Sequence, residues 1–359
     1  RPAISIRNEG SWTFGSPSVL MMFHRTPGQL DAELDAMNAC MPHYYRLTNG
    51  HGQGAERIMD AEAAFLRGRF ADAAIFLERA RAAIAGNGQE NMALCCDFLE
   101  RRLALCVDTA APEPAAHKRA ALLAQHDTMW LRIFDSACAY CAALAGQTEQ
   151  IPALFRDHAL HTVHLLAPCR PMMEMIENQV YLAQGAYAKV VGRSAELLAV
   201  CEAMHYALVA LHIRIQTAAA YEKLGKTEEA RVWLRKALAD AEPDGFVMPF
   251  VENYDCLQPI LAREMKNGLI AKITDLGEAA MVRNAASVRP AAFDVLTARE
   301  FEIVELMVQR LSNREIAEKL YLSEGSVKQY ANQIYSKLHI DGDTRTKRKQ
   351  LAELLGQKP

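Results

Sequence analysis

Three side chains near the C-terminus, Lys328, Gln329 and Asn332, carry the chemistry that reads base edges in a duplex groove. Lysine can donate to guanine O6 and N7, and Gln and Asn can make bidentate bonds to adenine. Their neighbours Val327, Ala331, Ile334 and Leu338 step by four, three and four residues. That period buries one stripe of a helix and turns Lys328, Gln329, Asn332 and Ser336 outward. The spacing predicts a helix starting after Ser323 that enters a major groove with its N-terminal half on the bases. A solvated helix face is the plainer alternative for the same pattern.

Other groupings offer less. His158, His161 and His164 are spaced by three, so neighbours in the set could reach one metal, but the outer two are six apart and point away from each other on a helical stretch. A polar helix edge is the better reading. Cys138 and Cys141 form CxxC inside the apolar run ACAYCAAL, without a second Cys or His pair at zinc-finger spacing, so they read as buried core. Met172, Met173 and Met175 read as core filler. The loop NGHGQG at 49–54 has glycines ahead of a helix, which can cradle phosphate, but GxxxxGK(S/T) is missing and a flexible connector is expected. No Ser, His and Asp set and no paired carboxylates stand out, so no catalytic, metal or cofactor site is expected in this chain.

The elements that must hold the base-reading residues lie in 296–338. Thr297 precedes Glu300 by three and Ser312 precedes Glu315 by three, the capping-box spacing, and Ser323 begins the third helix. Apolar pairs bracket each cap, Leu296 with Phe301, Leu311 with Ile316 and Leu322 with Val327, as in a hydrophobic staple. Only Tyr321 and Leu322 separate the second helix from the third cap, and so short a connection makes the two helices cross steeply. From Lys319 to Lys349 seven basic residues face three acidic, a local +4 within a chain of net charge -3, which suits phosphate neutralisation. TRTKRK at 344–349 opens a last amphipathic helix, Arg345 to Leu355, with Leu351, Leu354 and Leu355 on one side.

With LTxRE at 296–300, SNxEIAxxL at 312–320, and SxxSVK followed by IxxKL at 323–338, the segment resembles the LuxR-type helix-turn-helix of bacterial transcription regulators over about 60 residues. The resemblance implies double-stranded DNA as partner, base- and phosphate-facing roles for Lys328, Gln329 and Asn332, and a place near the DNA backbone for Lys337; Ser326 and Arg345 complete the expected DNA-binding set. It also implies dimer contacts through the last helix, for which packing on its own domain is the alternative. Departures are Tyr330, Gln333, Arg310 and a longer stretch over 339–345.

The remaining chain of 359 residues, 51% hydrophobic and 23% charged, has no apolar run long enough to cross a bilayer and no signal-peptide pattern. Nine scattered cysteines read as reduced thiols, and a cytoplasmic location is expected. GRFADAAIFLERA at 68 and GKTEEARVWLRKA at 225 place Gly, small and large apolar residues at identical offsets, with weaker copies at Gly146 and Gly185, the pattern of a tetratricopeptide hairpin. A missing copy near Val107 falls on the Pro-rich DTAAPEPAA. Stacked hairpins would bury a continuous core and form a curved superhelix with a concave face. The expected fold is therefore all-α: a tetratricopeptide-like helical-repeat superhelix followed by a small four-helix LuxR-type domain.

Expected divisions are an entry segment at 1–54, with a helix begun by Thr26 and Pro27 and an extended stretch at 3–6; repeats at 55–276; a linker at 277–293; and the DNA reader at 294–359. DGFVMPFVENYDCLQPIL at 244–261 is expected to cap the last repeat. This order is similar to the C-terminal half of MalT-like signal-transduction ATPase regulators, which implies an ATP-binding domain upstream of Arg1 and an inducer, small molecule or protein, on the repeats. Further expected partners are RNA polymerase and a second copy of the chain on DNA. The expected function is sequence-specific transcription regulation; a protein-interaction scaffold with a degenerate helix-turn-helix is the alternative.

Overall fold

The computed structural model describes residues 13–86, 89–107, 115–124, 128–287, 293, 295–309, 311–320 and 322–354. Among them every regular element is a helix. The chain forms two compact units, Arg1–Met281 and Val282–Pro359.

In chain order the first unit holds α1 (Val19–Phe23), α2 (Leu30–Thr48), α3 (Ala55–Leu66), α4 (Phe70–Ile84), α5 (Glu90–Ala104), α6 (Ala115–Ala124) and α7 (Thr128–Leu144). It continues with α8 (Ala153–Arg156), α9 (Arg170–Ala183), α10 (Tyr187–Met204), α11 (Ala207–Lys223), α12 (Thr227–Ala241), α13 (Met248–Val251), α14 (Tyr254–Leu261) and α15 (Gly268–Ser287), the last running across the boundary. Nine of the twelve residues of α3 and twelve of the seventeen of α11 are buried, against four of fifteen in α4 and in α12. The first helix of each of these pairs is therefore covered on more than one side, and the second is an amphipathic outer helix.

The glycine markers have one physical cause. Gly68, Gly146, Gly185 and Gly225 sit at φ +68°, +68°, +75° and +72°, where a side chain is strained. The following amide donates five residues back, Arg69 to Ala64, Gln147 to Ala142, Ala186 to Tyr181 and Lys226 to Tyr221, which ends the helix in a Schellman turn. The apolar markers then land in the core: Ala73 and Ala80 on α4, Ala230, Leu234 and Ala237 on α12, Val190 and Leu197 on α10. The copy at Gly146 keeps Ile151 and Phe155 buried but not the long helix, because Pro152 stands at the start of α8 and follows an extended Ile151.

Long-range bonds change four expectations. The helix expected from Thr26 starts at Leu30, since Thr26 and Gln29 form a turn and the amides of Gly28 and Leu30 donate to the Asp244 carboxylate at 2.6 and 3.0 Å. The loop at 49–54, expected to be a flexible connector, is a bonded turn: Gly52 donates to Gln89 Oε1 at 2.9 Å, Gly54 to the Tyr45 hydroxyl at 3.0 Å, and His51 is buried. The segment expected as linker from 277 is helical through Ser287. The extended stretch expected at 3–6 lies outside the described residues, as do most positions of the Pro-rich 108–116.

The largest difference concerns the concave face. Residues 244–253 do not cover a terminal repeat; they pass between the first and last hairpins, with Val247 donating to Leu66 O at 2.8 Å and α13 packed on both α3 and α11. α1 fills the same space from the other end of the sequence, against α3 and α11. Ser18 caps α1, and the buried Glu62 accepts from the amides of Val19 and Leu20 at 3.3 and 2.6 Å. Arg102, 3% exposed, makes two bonds to Glu252 at 2.7 and 3.0 Å and lies over the Phe65 ring, while the Tyr140 hydroxyl donates to Glu252 at 2.8 Å. One continuous core runs from Val19 to Ile273.

Candidate nucleic-acid interface

The second unit is built on α16 (Ala298–Val308), α17 (Asn313–Leu320), α18 (Glu324–Lys337) and α19 (Thr344–Leu354). Each of the first three starts where a hydroxyl meets an orphan amide. Glu300 N–H donates to Thr297 Oγ1 at 3.2 Å and Thr297 N–H to Glu300 Oε2 at 2.7 Å; Ser312 and Glu315 repeat the box at 3.3 and 2.7 Å; Ser323 Oγ accepts from Ser326 N–H at 3.0 Å. The staple residues close a core in which Leu296, Phe301, Ile316 and Val327 are buried and Leu311 and Leu322 pack against them.

On α18 the period works as the spacing predicts. Val327, Ala331, Ile334 and Tyr335 are buried, with Leu338 packed beside them, while Lys328, Gln329, Asn332 and Ser336 are exposed. Lys328 and Lys319 make no ion pair among the described residues, so their charge is available to an incoming polyanion. Base-reading amides and a free ammonium thus share the N-terminal half of one exposed face.

Other expected DNA contacts have internal partners. Lys337 Nζ sits 2.8 Å from both oxygens of Glu300, whose carboxyl is 3% exposed, and so ties the end of α18 to the start of α16. Burial pushes the Glu300 carboxyl up, but Lys337 and the Thr297 amide outweigh it and hold the group below its usual range. Ser326 is half-buried and its hydroxyl bonds Ser323 Oγ at 2.8 Å. Arg345 lies on α19, and its side chain is outside the described residues.

Two arginines that spacing did not single out hold the unit together. Arg299 donates to Leu320 O at 2.7 Å, satisfying the end of α17, and Arg348 donates to Leu311 O at 2.9 Å. Lys347 lies over the Tyr335 ring at 5.2 Å. The only sequence signal for these roles was their position beside a helix end. The basic run at 344–349 therefore spends part of its charge on its own fold, and the local +4 overstates what faces phosphate. On α19, Leu351 is fully buried in the unit's own core and Leu354 is 40% exposed.

In the first unit, His158, His161 and His164 do not share a helix. His158 sits in a turn, stacked on Tyr181 at 3.9 Å and bonded to Gln184 at 2.7 Å, and His161 is on an exposed single turn. Cys138 and Cys141 are free thiols, half-buried on α7, and burial pushes Cys138 up to about 11. Met172, Met173 and Met175 are buried, and Cys40 is the exposed exception among nine free thiols. Among the described residues no group of His, Cys, Asp or Glu could hold a metal ion, and no helix is long and apolar enough to cross a membrane.

The family of bacterial regulatory proteins, luxR family, matches residues 294–348. Over 50 residues the chain is 46% identical to the transcriptional regulatory protein LnrK of Bacillus subtilis, covering 14% of this chain and 23% of that protein. Over 51 residues it is 41% identical to the transcriptional regulatory protein DegU of Brevibacillus brevis, covering 14% and 22%. The matches thus span less than a quarter of either relative's length. No solved structure gives a significant match. Capped helices, a steep two-helix turn and the family match agree: residues 294–348 are a LuxR-type DNA-binding domain.

Proposed function

We propose that this chain is a transcription regulator whose C-terminal unit binds double-stranded DNA through α18 and whose helical array receives an effector. The observation that carries the DNA reading is the exposed trio Lys328, Gln329 and Asn332, held on a helix whose opposite face is buried. A single helix touches few base pairs, so useful specificity calls for two copies on paired half-sites. Lys328 and Gln329 lie closest to the capped start of the helix and are assigned to bases; Asn332, one turn on, to a base or sugar edge. Lys319 is assigned to phosphate. Lys337 is assigned a positioning role, since its ammonium is already held by Glu300.

Titrating the full chain onto selected and random duplexes over a range of salt separates the two kinds of contact. Lys328→Ala should weaken the selected site by about 1–3 kcal/mol and relax the preference at its own base pair, whereas Lys319→Ala should weaken all duplexes alike and lower the salt slope by about one. A folded chain that ignores every duplex at low salt refutes the reading and leaves a protein-interaction scaffold.

A further inference from the structure

A cavity of about 510 Å³ opens in the helical array where the loop between α1 and α2 meets α10, α11 and α12. Cations gather on it. Arg25 comes from the loop and Arg214 from α11, with His205 at the left-handed end of α10. Arg214 is closely paired with Asp240, and Glu202 stands as the second acid of the lining. Arg25 makes no ion pair among the described residues; its loop is held by its own backbone amide on Glu33 Oε1 at 2.9 Å and by Gly28 on Asp244. The cationic side chain is free while its backbone is anchored.

The base of the cavity is the start of α11. Ala207 and Ala210 line it, no side chain caps the helix, and Ala207 N–H goes to His24 O, so the positive end of a 17-residue helix faces the space. A second observation points the same way. Tyr206, the N-cap residue, is 5% exposed and lines the cavity, yet its hydroxyl has no hydrogen-bond partner among the described residues. A tyrosine this buried ordinarily finds a partner for its O–H. Here the missing partner would sit beside a helix N-terminus and a free guanidinium.

We propose that this cavity binds a small oxyanion, a carboxylate or phosphate monoester, with Arg25 as the principal charge, Tyr206 Oη as donor and the first turn of α11 as the backbone cradle. The anion would be the effector of the array, so the inference rests on the regulator reading and names its ligand class. Alanines on the cavity wall leave room for a compact organic part beyond the anionic group. A ligand here would bridge the N-terminal loop to three helices of the last two hairpins.

The test is calorimetric titration of the full chain with inorganic phosphate and, separately, pyruvate, at ionic strength matched with chloride. The expected result is saturable binding of at least one probe, weakened about tenfold by Arg25→Ala and about fivefold by Tyr206→Phe. The stronger probe identifies the anion class. Arg25 is on the surface and Tyr206→Phe keeps the ring, so both variants retain the packing of the array. Absence of saturable binding by either probe, or binding that survives both substitutions, overturns the proposal. Duplex binding by the unliganded chain, measured alongside, reports on the DNA reading independently.

Discussion

Replacing Lys337 with Met leaves the Glu300 carboxylate, 3% exposed, facing an apolar side chain instead of an ammonium 2.8 Å from both oxygens. Removing one partner of a fully buried ion pair costs about 3–5 kcal/mol. Two features lower that here: Lys337 is 40% exposed, and Glu300 keeps the Thr297 N–H bond at 2.7 Å. The expected cost is about 2 kcal/mol, or roughly 30-fold faster opening of the unit. Hydrogen exchange of α16 and α18 amides in the full chain reads it directly. Glu300→Gln removes the charge that Lys337→Met strands, so the double variant should cost at least about 1 kcal/mol less than the sum of the singles.

The pH dependence has a fixed sign. A carboxyl held below its usual value of 4.5 contributes stability that is present above 4.5 and lost as pH falls through the lower folded value. In Lys337→Met burial is no longer outweighed, and the acid loss should begin at higher pH. Additive singles, or the same acid limb with and without Lys337, would refute the argument.

Other outcomes follow from the first unit. Arg102→Met should cost about 3–5 kcal/mol in urea unfolding, because it strands the buried Glu252 and leaves the Tyr140 hydroxyl as its remaining side-chain donor. Gly68→Ala and Gly225→Ala both place a side chain at positive φ, but a Cβ at 68 meets Leu276 Cδ1 at 2.7 Å and one at 225 meets nothing within 4 Å. The first should cost about 1–3 kcal/mol more than the second in the same urea assay. Burial pushes the Glu62 carboxyl up to about 7 against the amides and Arg102 that pull it down. A raised carboxyl loses stability as pH rises from its ordinary 4.5 through about 7, so thermal melts should fall across that window and flatten in Glu62→Gln.

What the residues alone determined is what closes within a few positions of chain. Thr297 reaches Glu300, Ser312 reaches Glu315 and Gly68 ends α3 by bonds spanning three to five residues, so spacing suffices to place these turns. The helical period likewise separates Val327, Ala331 and Ile334 from Lys328, Gln329 and Asn332 without knowledge of what covers the first set. Tertiary structure decided which charges stay free. Lys328 and Lys337 are both lysines of one helix, and only the convergence of α16 on the end of α18 commits the second to Glu300. The same holds in the array, where Asp244 caps a helix more than 200 residues earlier and Glu252 pairs with Arg102 across 150. Local hydrogen bonds are specified by sequence separation, whereas the partner of a buried charge is specified by which surfaces fold together, and that turned an expected open groove into a packed interior.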